Sequence, residues 1–232
     1  MHQIRRWRRR LGIQLYDAEH AVVELGTLVK QVHTPEEIKT LLSAFKAARS
    51  DVDYVYWLDP LGILRNSWPT NQISLGTEFE PPDVVQRALT SNSPVFEVGI
   101  AAETTYTAGV IIAAPVRASN GQLIGIVAVS LSLIDLSEPL QSVVGAQERS
   151  FHRRLIISVI DSKGELIATP HPQHILETVL DELPGAEQAL QGQTVSLLGP
   201  GPDGQEWLFS AVPVPDAGWA VGFSDQPARP WL

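Results

Sequence analysis

Cysteine is absent from all 232 residues. That excludes a disulfide framework, thiolate zinc, iron–sulfur clusters and a cysteine nucleophile. Basic side chains are scarce outside one cluster. Five of the 17 are arginines within residues 1–10 (Arg5, Arg6, Arg8, Arg9, Arg10), which leaves 12 against 26 acidic side chains in the remainder. A body this acidic is a poor match for nucleic acid, whose phosphates need Lys and Arg to displace their counterions. The arginine cluster is open to two readings: contact with an anionic lipid surface or nucleic acid, or a solvated helix end. Long apolar runs are missing as well. None reaches 18 residues, so no transmembrane helix is expected, and no apolar segment follows the arginines to make a secretory signal. Gly and Pro, 17 each, stay near average usage, which excludes collagen-like and wholly disordered chains. The 44% of hydrophobic residues is enough to bury the core of one large domain or two small ones.

The apolar residues are ordered by period. Leu11, Leu15, Ala18, Val22, Leu25, Val29 and Val32 recur in alternating steps of four and three, which puts them on one face of a helix over 4–32. Such a helix packs along the rest of the chain or pairs with a second copy. Thr34, Pro35 and two glutamates then signal a new helix start, expected to run to about 49. From 53 the pattern becomes extended. Strands are expected at 54–58, 62–68, 94–98, 109–116 and 123–133, with a short helix at 82–89. Asp59-Pro60-Leu61-Gly62 and Ser119-Asn120-Gly121-Gln122 read as turns. A helical connector is expected over 134–150. Strands follow at 155–160 and 165–169, then a helical stretch over 173–191, then strands at 194–198, 206–214 and 219–223.

The second half repeats the first. Val55-Tyr56-Trp57-Leu58-Asp59-Pro60-Leu61-Gly62 matches Ile157-Ser158-Val159-Ile160-Asp161-Ser162-Lys163-Gly164 at an offset of 102. Ala88-Leu89 matches Ala189-Leu190, and Ala114-Pro115-Val116 matches Val212-Pro213-Val214. In each half the order is strand, Asp-x-x-Gly turn, strand, helix, three strands. The expected fold class is therefore α+β: a long N-terminal helix and two modules, each a five-stranded antiparallel sheet with flanking helices. A period near 100 is a duplicated domain, since solenoid repeats span ~20–50 residues.

On these residues the chain resembles the double-Cache sensor domain of bacterial signal-transduction receptors, which is two PAS-like modules strung along a long helix. The carriers are Trp57-Leu58-Asp59-Pro60-Leu61-Gly62, the segment Gly76 to Leu89, Ala114-Pro115-Val116-Arg117 through Asn120-Gly121 to Ile124-Gly125-Ile126-Val127, Val159-Ile160-Asp161-Ser162-Lys163-Gly164, and Gly218-Trp219. The resemblance implies residues 1–50 as the two N-terminal helices, 51–135 as the membrane-distal module, 136–154 as a connector and 155–232 as the membrane-proximal module. It implies a sensor domain on the extracytoplasmic face of a bacterial inner-membrane receptor of the histidine kinase, chemoreceptor or cyclase class. It also implies no cofactor, no nucleic-acid partner, and a membrane met only through spans outside this chain. A small-molecule ligand would sit in the distal module.

Amino-acid-binding members of that family place an Arg and a Trp-Tyr pair at the start of the module's helix and an Asp on its last strand. Here those positions hold Pro82, Val84-Val85 and Ser130. The resulting expectation is a ligand other than an α-amino acid, smaller or more apolar, such as a monocarboxylate met by Arg87. The candidate ligand-binding residues are Trp68, Phe79, Arg87, Thr104, Thr105, Tyr106 and Ser130. A homodimer through the N-terminal helix is the expected partner, and a structural dimerisation module without ligand is the alternative role.

No constellation for catalysis is expected. Gly199-x-Gly201-x-x-Gly204 copies the dinucleotide fingerprint, but Pro200, Pro202 and the strand-like Glu206-Trp207-Leu208-Phe209 make it a hairpin turn. His171 and His174 sit between prolines without a third ligand at matching spacing, so no metal is expected. Asp59 and Asp161 each open their own turn, where a carboxylate accepts backbone N–H groups.

Overall fold

The computed structural model describes residues 2–70, 75–79, 82–100, 108–138, 140–141, 144, 155–201, 203–214 and 217–225. They form two compact units: Leu15–Ser132 is one, and Met1–Gln14 with Leu133–Leu232 is the other.

The apolar seam becomes one face of α1 (His2–Val29). Leu11, Leu15, Ala18, Val22, Leu25 and Val29 are all at most 5% exposed. The seam is thus occupied within the chain, the first of its two expected fates. Close packing shows at Gly26, where an added Cβ would lie 3.1 Å from the Val116 side chain. The helix stops at Val29, short of Val32. Among the described residues no helix is long and apolar enough to cross a membrane.

Helix α2 (Pro35–Ala48) starts on a capping box. The Glu37 amide donates to Thr34 Oγ1 at 3.2 Å, and the Thr34 and His33 amides donate to Glu37 Oε2 at 3.0 and 2.8 Å. These amide donors, His33 first, hold the Glu37 carboxyl below the usual carboxylate range. At the other end Arg49 pairs with Asp51 at 2.6 Å and donates to the Asp17 carbonyl, tying α2 to α1.

The first sheet contains β1 (Tyr54–Leu58), β2 (Leu64–Trp68), β3 (Val95–Ile100), β4 (Ala108–Arg117) and β5 (Leu123–Ser132), in the spatial order β2-β1-β5-β4-β3. All its pairs are antiparallel, so directly opposed residues share a face. Trp57, Asn66, Val127 and Ala114 form one such row. The Asn66 side chain donates to the Pro35 carbonyl, so this face is the one toward α2. On the opposite face Tyr56, Leu58, Ile111, Ala113, Ile126 and Ala128 pack with Val84, Val85 and Ala88 of α3 (Pro82–Thr90).

The second sheet repeats that order as β7-β6-β10-β9-β8, built from β6 (Leu155–Ile160), β7 (Leu166–Ala168), β8 (Val195–Pro200), β9 (Glu206–Val214) and β10 (Trp219–Asp225). A helix α4 over 133–138 precedes it, and the connector expected beyond residue 144 lies outside the described residues. Ser137 of α4 donates to the Leu133 carbonyl at 2.8 Å and accepts the Thr169 amide at 3.2 Å.

Duplication extends to single hydrogen bonds. Asp59 Oδ1 accepts the Leu61 and Ile63 amides at 2.8 and 3.1 Å. Asp161 Oδ1 accepts those of Lys163 and Glu165 at 2.8 and 3.0 Å. The Leu64 amide donates to Thr77 and its carbonyl accepts from Gly76, while Leu166 makes the same two bonds to Glu177 and Leu176. Leu176, at φ 71°, therefore occupies the left-handed slot that Gly76 fills at φ 89°. A side chain there costs about 1–2 kcal/mol in backbone strain.

One expected element is corrected. The segment 173–191 is not one helix. It is a 3₁₀ turn (Pro172–His174), a bridge from Thr178 to Glu165, a second 3₁₀ turn (Leu180–Glu182), and the single helix α5 (Ala186–Leu190). The Leu166 pairing captures the Glu177 carbonyl, and Pro184 lacks the N–H a continuous helix would need.

Candidate ligand-binding site

The α3-facing side of the first sheet is apolar under the helix and polar beyond it. Register lines up Tyr56, Ala128, Ala113 and Val95 in one row, with Ser67 beside Tyr56. The next row is Tyr54, Ser130, Ile111 and Glu97. The row after that is Ser132, Gly109 and Gly99. The face thus ends in hydroxyls, a carboxylate and glycines. At ~4.8 Å per strand, Ser130 and Glu97 stand about 10 Å apart across β4.

The aromatic wall of this face is a stack. Tyr54 and Tyr56 lie with ring centroids 6.1 Å apart and nearly parallel, and Phe79 meets Tyr56 edge-on at 4.8 Å. Phe79 is 5% exposed and belongs to the core under α3. Arg87, on the last turn of α3, donates through Nη1 to the Phe96 carbonyl at 3.0 Å and to Glu97 Oε2 at 2.8 Å. Its side chain is half exposed, while that of Glu97 is mostly covered. Arg87 thus crosses from α3 to the edge strand β3.

Of the sequence-derived candidates, Phe79, Arg87 and Ser130 come to this one face. Trp68 pairs with Val55 and so belongs to the opposite face, the one toward α2. Thr104, Thr105 and Tyr106 lie outside the described residues. Two groups escaped the sequence reading, Tyr54 and Glu97. Glu97 was visible as the single acid in Val95-Phe96-Glu97-Val98-Gly99, with the same parity as the buried Val95.

The decoy motifs have structural roles. Gly199-x-Gly201-x-x-Gly204 is the β8–β9 hairpin, where the Gly201 amide donates to Gln205 and that of Gly204, at φ 72°, to Gly201. His174 Nδ1 sits 2.9 Å from Glu177 Oε2.

Two five-stranded antiparallel sheets of identical strand order, each crossed by helices, define a tandem PAS-like architecture. Residues 3–229 match the family model of the Cache domain in its double form, and the chain belongs to that family. No curated protein sequence matches it. Solved structures with its fold include the ligand-binding domain of the Pseudomonas fluorescens chemoreceptor CtaA in complex with L-alanine. The two are 17% identical with a TM-score of 0.74, over 98% of this chain and 96% of that one. The ligand-binding domain of the Pseudomonas aeruginosa amino acid chemoreceptor PctC, in complex with GABA, is 18% identical with a TM-score of 0.74, over 97% of both chains. That of PctB from the same organism, in complex with L-Gln, is 16% identical with a TM-score of 0.72, over 96% of this chain and 88% of that one. These complexes overturn the expectation of a ligand other than an α-amino acid, because structures of this fold hold L-alanine and L-Gln. That expectation rested on two lost anchors, Pro82 and Ser130, and overlooked the Arg87–Glu97 pair.

Proposed function

We propose that this chain is the extracytoplasmic sensor domain of a receptor and that its first module binds a small amino acid. The role is recognition without catalysis. The observation that carries the reading is the Arg87–Glu97 pair at the polar end of the α3-facing sheet. A zwitterion needs one group of each sign. Glu97 takes the ammonium, and Arg87 offers its remaining guanidinium donors to the carboxylate, a fork that matches two oxygens. Ser130 and Tyr54, in the same row as Glu97, supply neutral hydrogen bonds, and Phe79 closes the apolar wall. Thr104, Thr105 and Tyr106 belong to the β3–β4 connection and complete the candidate set. Residues 51–135 are the sensing module in this reading, and 155–232 the second.

Titration calorimetry with L-alanine and GABA tests it. Wild-type chain is expected to bind at least one of them. Glu97→Gln keeps the shape and loses the charge, so affinity should fall about 10-fold or more, the worth of a hydrogen bond to a charged group. Undiminished binding by Glu97→Gln would remove Glu97 from the site. No heat with either compound would remove the amino-acid reading.

A further inference from the structure

The second module holds a cavity of about 510 Å³, within the ~300–1,000 Å³ usual for small-molecule sites. Its floor is the face of the second sheet that carries Ile156, Ser158, Ser224 and Phe209. Its rim is the 169–183 segment, which carries Glu177 and Glu182.

Two features set its chemistry. Ser158 and Ser224 are each 4% exposed and line the cavity, yet neither hydroxyl has a hydrogen-bond partner among the described residues. Their hydroxyls are therefore left to bond whatever occupies the cavity. The second feature is charge. Among the described residues that line the cavity there are two carboxylates and no Lys or Arg. The lining also carries the His171 and His174 imidazoles. Among the described residues the only one of the two carboxylates paired with them is Glu177, with His174, so the fixed charge an anion would meet is negative. A cation would meet Glu177 and Glu182 at the rim and the ring of Phe209 on the floor, all attractive.

We propose that this cavity is a second binding site, separate from the one on the first module, and that it takes a small organic cation: a protonated amine on a short hydrocarbon chain. The ammonium lies between the rim carboxylates and the Ser158 and Ser224 hydroxyls, and the hydrocarbon lies against Phe209 and Ile156. Glu177 already accepts from His174, and one of its oxygens stays available for the ligand.

The test uses n-butylamine as the probe, with butyrate as the control of opposite charge, in calorimetry on the full chain. Wild type is expected to bind n-butylamine at millimolar concentration and not butyrate. The double variant Glu177→Gln/Glu182→Gln keeps the rim's shape and should bind about 10-fold more weakly or worse. Ser224→Leu should abolish binding by filling the floor. Glu97→Gln should leave n-butylamine binding unchanged, which separates this site from the first module's. The proposal is overturned by absence of n-butylamine binding, by equal binding of butyrate, by equal binding in the double Gln variant, or by loss of binding in Glu97→Gln. Should Ser224→Leu fail to fold, the double Gln variant still decides.

Discussion

Asp59 shows how far one side chain's role can be read from its neighbours. The pattern Asp-x-x-Gly predicts a carboxylate that accepts backbone N–H groups, and Oδ1 does so twice. Oδ2 is taken by Arg65 at 2.6 Å, a contact no pattern announced. Burial alone would raise this carboxyl, and the Arg65 guanidinium with the Ile63 and Leu61 amides outweighs it, leaving it below the usual carboxylate range. The sign of the linkage follows. The stability it contributes is present above the unfolded Asp value of ~3.9 and disappears as pH falls through the lower folded value. Asp59→Asn should therefore unfold at lower urea than wild type at pH 7, by less than ~1 kcal/mol because Arg65 is half exposed and solvent screens it. The gap should close once the pH lies below the folded value. A gap that survives in acid would show that charge is not its source. Glu97 is the opposite case. Its identity stood in plain view, but its meaning needed the register that places it level with Ser130.

Among the elements, those with local signals were legible and those fixed by distant partners were not. The α2 start carries its own chemistry in Thr34, Pro35 and Glu37. The hairpin at Asn120-Gly121 does too, with Gly121 at φ 83° and the Gln122 amide on Asn120 Oδ1. By contrast, the spacing of Ile175, Val179 and Leu183 imitates a helix, while the pairing of Leu166 and Glu165 with this segment is invisible in sequence. The seam of α1 was legible as a seam, but period alone does not say what it faces. Its burial in the chain gives a test. Leu25 is fully buried, so Leu25→Ala leaves a cavity and should cost about 2–5 kcal/mol in urea unfolding, independently of protein concentration. A cost that shrinks on dilution would mean the seam serves a second copy.

At the scale of the molecule, duplication was legible because the turns are copied residue by residue. In the proposed reading the functional difference between the copies lies in side chains that periodicity does not rank: Glu97 with Arg87 in one module, Ser158, Ser224, Glu177 and Glu182 in the other. Two copies of a fold need not have one stability. Each unit has its own core, centred on Tyr56 and Ile111 in one and on Ile160 and Ala211 in the other, so unfolding as a single two-state event is not required. Gly125 offers a lever on one unit alone. A Cβ there would run into the Trp57 ring and the Leu58 carbonyl within the first sheet, and overpacking of this kind costs about 1–3 kcal/mol. In scanning calorimetry Gly125→Ala should lower the transition of the first module and leave that of the second in place. L-Alanine should raise that same transition, by the equivalent of ~2.7 kcal/mol at a concentration 100 times its dissociation constant. If the whole profile moves as one peak under both perturbations, the modules share one cooperative unit. A ligand in either would then be felt by both through stability alone.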